Sequence, residues 1–307
     1  MRKISKRNNP IRQHYVPQVY LKHFCNSVKA IAVIDKHNQK VFSTGIRAVG
    51  AENDFYTLEK MNDPYYWEHV YADGMEPLLG QLIERVISQS NLLVRNGTVI
   101  ISDVEKVKFA IIMVMQLLRG KQSREYERKL YQKRLPGVLK KAQKVFGPLS
   151  DEQDALLEAF AKDDYYFKRT SMDVSLDSTR IERYAEIICN LDFVFYRIQG
   201  DVEFITSDNP VMLINCITNN ARPFANGLLQ KTTVICYPIS PKLLLCAMHP
   251  EMTLGIFHGQ DCCLIDLDAN TEVRFISTVN RNQIEQCSKH AFARSENILR
   301  QYIKGQK

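Results

Sequence analysis

The sequence predicts an α+β fold, with a central helical block packed on short, mostly antiparallel β elements from the N- and C-terminal parts. Three observations predict it. Two apolar, β-branched runs, Ala30 to Asp35 and Lys40 to Ile46, flank the polar stretch Lys36-His37-Asn38-Gln39, as in a hairpin. From about residue 65 to 190, apolar side chains recur at the three- and four-residue spacing of helices. From Asp192 the period changes to 2, that of strands. The 307 residues are 45% apolar and 24% charged, near the soluble average, which excludes a disordered or collagen-like chain. Neither β part has enough strands to stand alone. The chain therefore reads as a basic flexible tail over 1–12 and a single α+β domain over 13–307, with a helical insertion around 65–190.

Taken in order, Pro17 suits the first turn of a short docking helix that puts Tyr20, Leu21 and Phe24 on one face. After the hairpin, Glu52 to Leu58 reads as an edge strand. Leu78, Leu79, Leu82, Ile83, Val86 and Ile87 form the stripe of an amphipathic helix opened by Pro77. Ser102-Asp103-Val104-Glu105 is a capping box for a long helix running to about Gln132, apolar all round at its centre and so buried. Pro136 is expected to begin another helix, Gly147-Pro148 to break it, Ser150 to start the next, and Asp177 to cap one reaching Asn190. Phe193–Ile198 and Val202–Thr206 read as a hairpin turning at Gln199-Gly200-Asp201. Three more strands follow, at Val211–Ile214, Thr232–Tyr237 and Leu243–Ala247. A last helix runs from Asn270, its cap, to about Lys289.

Composition narrows the function classes. The longest apolar run, Phe109 to Leu118, is interrupted by Gln116 and is about half of the ~20 residues a membrane span needs. The charged N-terminus is followed by no apolar segment of a signal peptide, so a soluble cytoplasmic protein without a membrane partner is expected. The eight cysteines include no C-x-x-C pair and read as free thiols. Net charge is +7, from 41 basic and 34 acidic residues. Arg2, Lys3, Lys6, Arg7 and Arg12 crowd the start. A second cluster comprises Arg119, Lys121, Arg124, Arg128, Lys129, Lys133, Arg134, Lys140, Lys141 and Lys144, opposed by Glu125 and Glu127. Such clusters suit polyanions such as nucleic acid, and equally a solvated helix face. No G-x-G-x-x-G, P-loop, H-E-x-x-H or G-x-S-x-G motif occurs, which disfavours Rossmann, P-loop, zincin and α/β-hydrolase chemistry.

Three constellations remain. In Gln13-His14-Tyr15-Val16-Pro17, His14 precedes a helix N-terminus, where the positive dipole end keeps imidazole neutral and fit to be a base or ligand. Phe204-Ile205-Thr206-Ser207-Asp208-Asn209-Pro210 delivers Asp208 and Asn209 from a strand into a turn, suited to metal or substrate and also to bonding their own amides. Glu68, Glu76 and Glu84 lie eight residues apart, which on a regular helix makes a spiral rather than a ladder. Glu76 falls toward the apolar side, where a carboxylate needs a partner, a proton or a metal. Gln116 interrupts the apolar helix and Arg119 follows on its face. Arg119 is placed to hold Glu76 in a structural pair or to bind a phosphate, and the residues leave both open.

The opening Q-H-Y-V-P-x-x-Y-L-x-x-F (Gln13–Phe24), the central M-Q-L-L-R (Met115–Arg119) and F-I-T-S-D-N-P-V (Phe204–Val211) resemble the bacterial family described as domain of unknown function 4238. Pro238-Ile239-Ser240-Pro241 and Asn280 follow in that family's order. The resemblance covers about Arg12 to Ile303. It implies one domain and no established activity. The occurrence of members among mobile and defence-related genes implies an effector role as one expectation.

The reading favoured on these residues is a phosphodiester-cleaving, nuclease-like enzyme. Its catalytic groups are His14, Glu76, Arg119 and Asp208. Glu76 and Asp208, with Glu68, would hold Mg or Mn, and Gln116, Asn209 and Asn280 would bind substrate. Nucleic acid would lie along Arg124, Arg128, Lys129, Lys133, Lys140, Lys141 and Lys144. The alternative is a non-catalytic nucleic-acid- or protein-binding module in which the His, Glu, Arg and Asp form a buried structural network. Either way the four groups are expected to converge.

Overall fold

A computed structural model of the chain describes residues 9–93, 96–221, 226–253, 261–268, 270 and 272–303. Arg2, Lys3, Lys6 and Arg7 of the expected tail lie outside the described residues. Arg12 opens the first strand and is anchored, its guanidinium donating to the carbonyls of Arg47 and Ala48.

The N-terminal elements are β1 (Arg12–His14), α1 (Gln18–Leu21, continued by a 3₁₀ turn), β2 (Ala30–Asp35), β3 (Lys40–Gly45) and β4 (Ala51–Asn53). The helical block comprises α2 (Tyr66–Val70), α3 (Glu76–Leu92), α4 (Asp103–Arg119), α5 (Lys121–Phe146), α6 (Asp151–Lys162), α7 (Asp164–Ser175) and α8 (Ser178–Cys189), with the two-residue strand β5 (Thr98–Val99) before α4. The C-terminal part holds β6 (Asp192–Gln199), β7 (Thr206–Ser207), β8 (Met212–Asn215), β9 (Thr233–Ser240), β10 (Leu243–Met248), β11 (Cys263–Asp268), α9 (Val273–Gln286), β12 (His290–Ala293) and α10 (Glu296–Arg300). This is an α+β architecture.

Six strands form one sheet in the order β5-β11-β6-β10-β9-β8, antiparallel except for the β11–β6 pair. Four form an antiparallel sheet, β3-β2-β12-β7, that joins the N-terminal hairpin to strands from the far end of the chain. β1 and β4 pair by themselves. The main core lies between the helical block and the larger sheet, with Phe109, Met113, Phe193, Phe195 and Leu245 all fully buried. All eight cysteines are free thiols. Among the described residues no helix is long and apolar enough to cross a membrane.

Several expected elements fold differently. The hairpin at 193–206 does not form. Both edges of β6 are taken by apolar strands, β10 antiparallel and β11 parallel, and Thr206-Ser207 pairs with β12 instead. The long helix ends at Arg119 because Gly120 is extended (φ −71°, ψ 162°), and α5 starts afresh. Pro136 begins nothing, for α5 runs through it. The edge strand stops at Asn53, and the last long helix begins at Val273 with Glu272, not Asn270, at its N-cap.

The N-terminal segment is held by Gly50. Its carbonyl accepts from the amides of Tyr15 and Val16 (2.9 and 3.1 Å). Its φ is +61°, and a Cβ there would lie 2.9 Å from Val16 Cβ, so only glycine fits. The buried Tyr20 hydroxyl donates to the Pro238 carbonyl (2.7 Å) and so accepts from Thr206 Oγ1 (2.6 Å), which ties α1 to β7 and β9.

Candidate functional site

Arg119 ends α4, a helix opened by the capping box in which Ser102 and Glu105 bond each other's amides. Its side chain is wholly buried. Nε donates to the Tyr15 carbonyl (3.1 Å), and Nη2 donates to the His14 carbonyl (2.6 Å) and to Glu76 Oε1 (3.2 Å). Nη1 lies against Met75 Sδ, and the guanidinium sits 4.5 Å from the Tyr71 ring centroid. Gln116, one turn earlier, donates to the same Tyr15 carbonyl (2.9 Å). Thus α4 clasps the main chain of residues 14–15 with two side chains from one face.

Glu76 reaches Arg119 because the helix that carries it is irregular. Between α2 and α3 the turn Tyr71–Met75 is a π-helix. Its wider turn takes up about one residue, so the eight steps from Glu68 to Glu76 act as seven, about 20° short of two full turns. The expected spiral thereby closes into a pair on one face. Burial, then the neighbouring Glu76 carboxylate, pushes the Glu68 carboxyl up to about 7 against the pull of Arg119. Burial lowers the His14 imidazole to about 4, with Arg12 and Arg119 adding to the effect. Its Nε2 is buried without a hydrogen-bond partner in the described structure.

These two groups oppose each other in acid. Glu68 titrates above its ordinary 4.5 in the fold, so its contribution is present below that value and lost as pH rises through about 7. His14 titrates below its ordinary 6.5, so its contribution is present above that value and lost as pH falls through about 4. Replacing Glu68 with Gln should expose the histidine. Relative to the parent, the variant should lose about 1–2 kcal/mol between pH 7 and 4.5, after discounting for solvent screening. Urea unfolding at the two pH values measures this, and parallel pH profiles would refute it.

Asp208 is engaged elsewhere. Its carboxylate accepts from the amides of Ser288 (2.7 Å), Lys289 (2.7 Å) and His290 (2.9 Å), and its own amide donates to the His290 carbonyl (2.9 Å). It fastens the turn between α9 and β12. Among the described residues no hydrogen bond or ion pair joins it to His14, Glu76 or Arg119, and no three His, Cys, Asp or Glu side chains are grouped to hold a metal ion. Asn280 is a buried cross-link: Oδ1 accepts from the Ile205 amide (3.0 Å), and Nδ2 donates to the Glu203 carbonyl (2.9 Å) and the Tyr302 hydroxyl (3.1 Å).

Asn209 lies in the lining of a cleft of about 390 Å³ between α4, α5, α8 and the end of the larger sheet. Its Nδ2 donates to Oε1 of Gln122 and of Gln286. Neither glutamine is singled out by the sequence reading. The available signal is the amide-rich stretch Asn280, Asn282, Gln283 and Gln286 on α9, all buried. The structure therefore joins His14, Glu76, Gln116 and Arg119 through direct contacts and sets Glu68 beside them, while Asp208, Asn280 and Asn209 make their described hydrogen bonds with other residues.

No curated protein and no solved structure matches the chain significantly. A family model described as protein of unknown function (DUF4238) matches residues 12–297, which takes in Gln13–Phe24, the end of α4 and the Asp208 turn. The chain belongs to that family.

Proposed function

We propose that the protein is a nucleic-acid-binding module that reads phosphates with α5, while His14, Glu76, Arg119 and Asp208 hold its fold. The observation that supports this is the continuity of α5 through Pro136. On an unbroken helix, Lys129, Lys133, Lys140 and Lys144 fall within about 60° of arc and span about 22 Å. All four are exposed, and exposed Arg134 and Lys141 flank the stripe. Arg124 and Arg128 turn away from it, to the Phe55 carbonyl and ring and to Asp164.

Binding by such a stripe is sequence-independent and falls with salt. Each phosphate contact contributes about −0.9 to the slope of log K against log[salt] on duplex DNA, so four contacts weaken binding about a hundredfold between 50 and 200 mM. Replacing the four lysines by alanine should reduce the slope by about 3–4. Fluorescence anisotropy with a labelled duplex measures it, and an unchanged slope would sink the proposal.

A second reading, metal-assisted phosphodiester cleavage with Mg or Mn, draws on the Glu68–Glu76 pair that the π turn brings to one face. Its test is cleavage of DNA or RNA in Mg²⁺ or Mn²⁺ that disappears in a folded Glu76→Gln variant.

A further inference from the structure

The cleft at Asn209 carries an inference of its own, independent of the α5 stripe. Its volume of about 390 Å³ falls in the range of small-molecule sites, roughly 300–1,000 Å³. Leu117, Ile187, Val211 and Leu213 supply apolar walls. Arg183, exposed, and Arg180, paired with Glu127 at 3.4 Å, also line it, from α8.

The orientation of the three amides is forced. Gln122 Nε2 donates to the Gln286 carbonyl (2.7 Å) and Gln286 Nε2 to the Asn209 carbonyl (2.5 Å). A carbonyl only accepts, so both glutamine nitrogens must face these oxygens, and both Oε1 atoms are left for Asn209 Nδ2. Of the three side-chain oxygens, Asn209 Oδ1 is the one that accepts no described bond, and one N–H is left on each glutamine. The complement is a ligand edge with one N–H donor and two carbonyl acceptors, which is an imide.

We propose that the cleft binds a base of the uracil or thymine type, its imide edge on Asn209, Gln122 and Gln286, its faces against the apolar walls, and its phosphate toward Arg180 and Arg183. The same chemistry is offered by a free mononucleotide and by a base in a single strand.

Isothermal titration of the full chain with UMP, dTMP, CMP and AMP tests this. Cytosine presents an acceptor where uracil presents its N–H, so UMP and dTMP should bind at least about tenfold more tightly than CMP. Gln122→Leu should weaken UMP about tenfold by removing one donor. Leu117→Trp, which adds bulk to the cleft from its apolar α4 wall and keeps all three amides, should abolish binding with an unchanged far-ultraviolet spectrum, and it keeps the test alive if Gln122→Leu fails to fold. Equal affinity for UMP and CMP, no nucleotide binding by the parent protein, or full UMP affinity in a folded Leu117→Trp variant would each overturn the proposal. An oligo(U) strand that displaces UMP assigns the base to a strand, and one that does not assigns the free nucleotide. Alanine at Lys129, Lys133, Lys140 and Lys144 should leave UMP affinity unchanged, so the cleft and the α5 stripe succeed or fail separately.

Discussion

Arg119→Met is expected to cost about 3–5 kcal/mol of unfolding free energy, the range for removing one partner of a buried ion pair. The substitution keeps most of the volume and deletes the donors. It strands the carbonyls of His14 and Tyr15, removes the cation over the Tyr56 and Tyr71 rings, and leaves the Glu76 carboxylate, only 19% exposed, without its partner. Arg119→Lys should fall between, because one ammonium lacks the planar fork that serves Nε and Nη2 acceptors together. Adding Glu76→Met to Arg119→Met should recover part of the loss, since two apolar groups leave no orphaned charge. Urea unfolding of the four proteins measures all of this. A loss below about 1 kcal/mol for Arg119→Met would show that the clasp on residues 14–15 does not hold the fold.

The second large effect is expected at Asp208. Asp208→Ala removes the acceptor of three amides in a position that is 1% exposed. At about 1–3 kcal/mol for each unsatisfied donor, with some recovered as the turn relaxes toward water, the cost should be about 3–4 kcal/mol. Asp208→Asn should be milder, because one carbonyl oxygen still accepts while its NH₂ opposes a remaining amide. Limited proteolysis distinguishes this from a general loss of stability: cleavage should appear first near Ser288. Uniform loss without new cleavage there would contradict the role assigned to the carboxylate.

The fold class, the Ala30–Gly45 hairpin and the capped start of α4 were readable because each rests on short-range chemistry: turn residues, period and caps. The contact of Arg119 with Glu76 was readable as one of two options, since a charge on an apolar face requires a partner. What stayed hidden depends on distant residues. The acceptors of Asp208 serve amides about eighty positions downstream, and no spacing rule reports them. The π turn at Tyr71–Met75 carries no proline to announce it, so Glu68 and Glu76 read as a spiral. Pro136 read as a start signal, although α5 absorbs it within a continuous helix. Gln122 and Gln286 carry no local signal of their own, because burial on one flank by a strand end is a tertiary fact. The false hairpin at 193–206 failed for the same reason: its local turn was sound, but β10 and β11 outcompeted the neighbouring segment for the edges of β6.

The joining of β2 to β12 has a consequence for biosynthesis. On the ribosome the hairpin β2–β3 emerges early, yet the strand that covers the other edge of β2 follows about 250 residues later, roughly 10–50 s at about 5–20 residues per second. Throughout that interval Ala30-Ile31-Ala32-Val33-Ile34, uncharged and without proline, presents an open row of main-chain donors and acceptors. Neighbouring ribosomes on the same message bring many such rows together, so the window for nascent chains to pair with one another lies here and closes when His290–Ala293 arrives. Slower elongation lengthens that window, and the yield of soluble chain should fall with it.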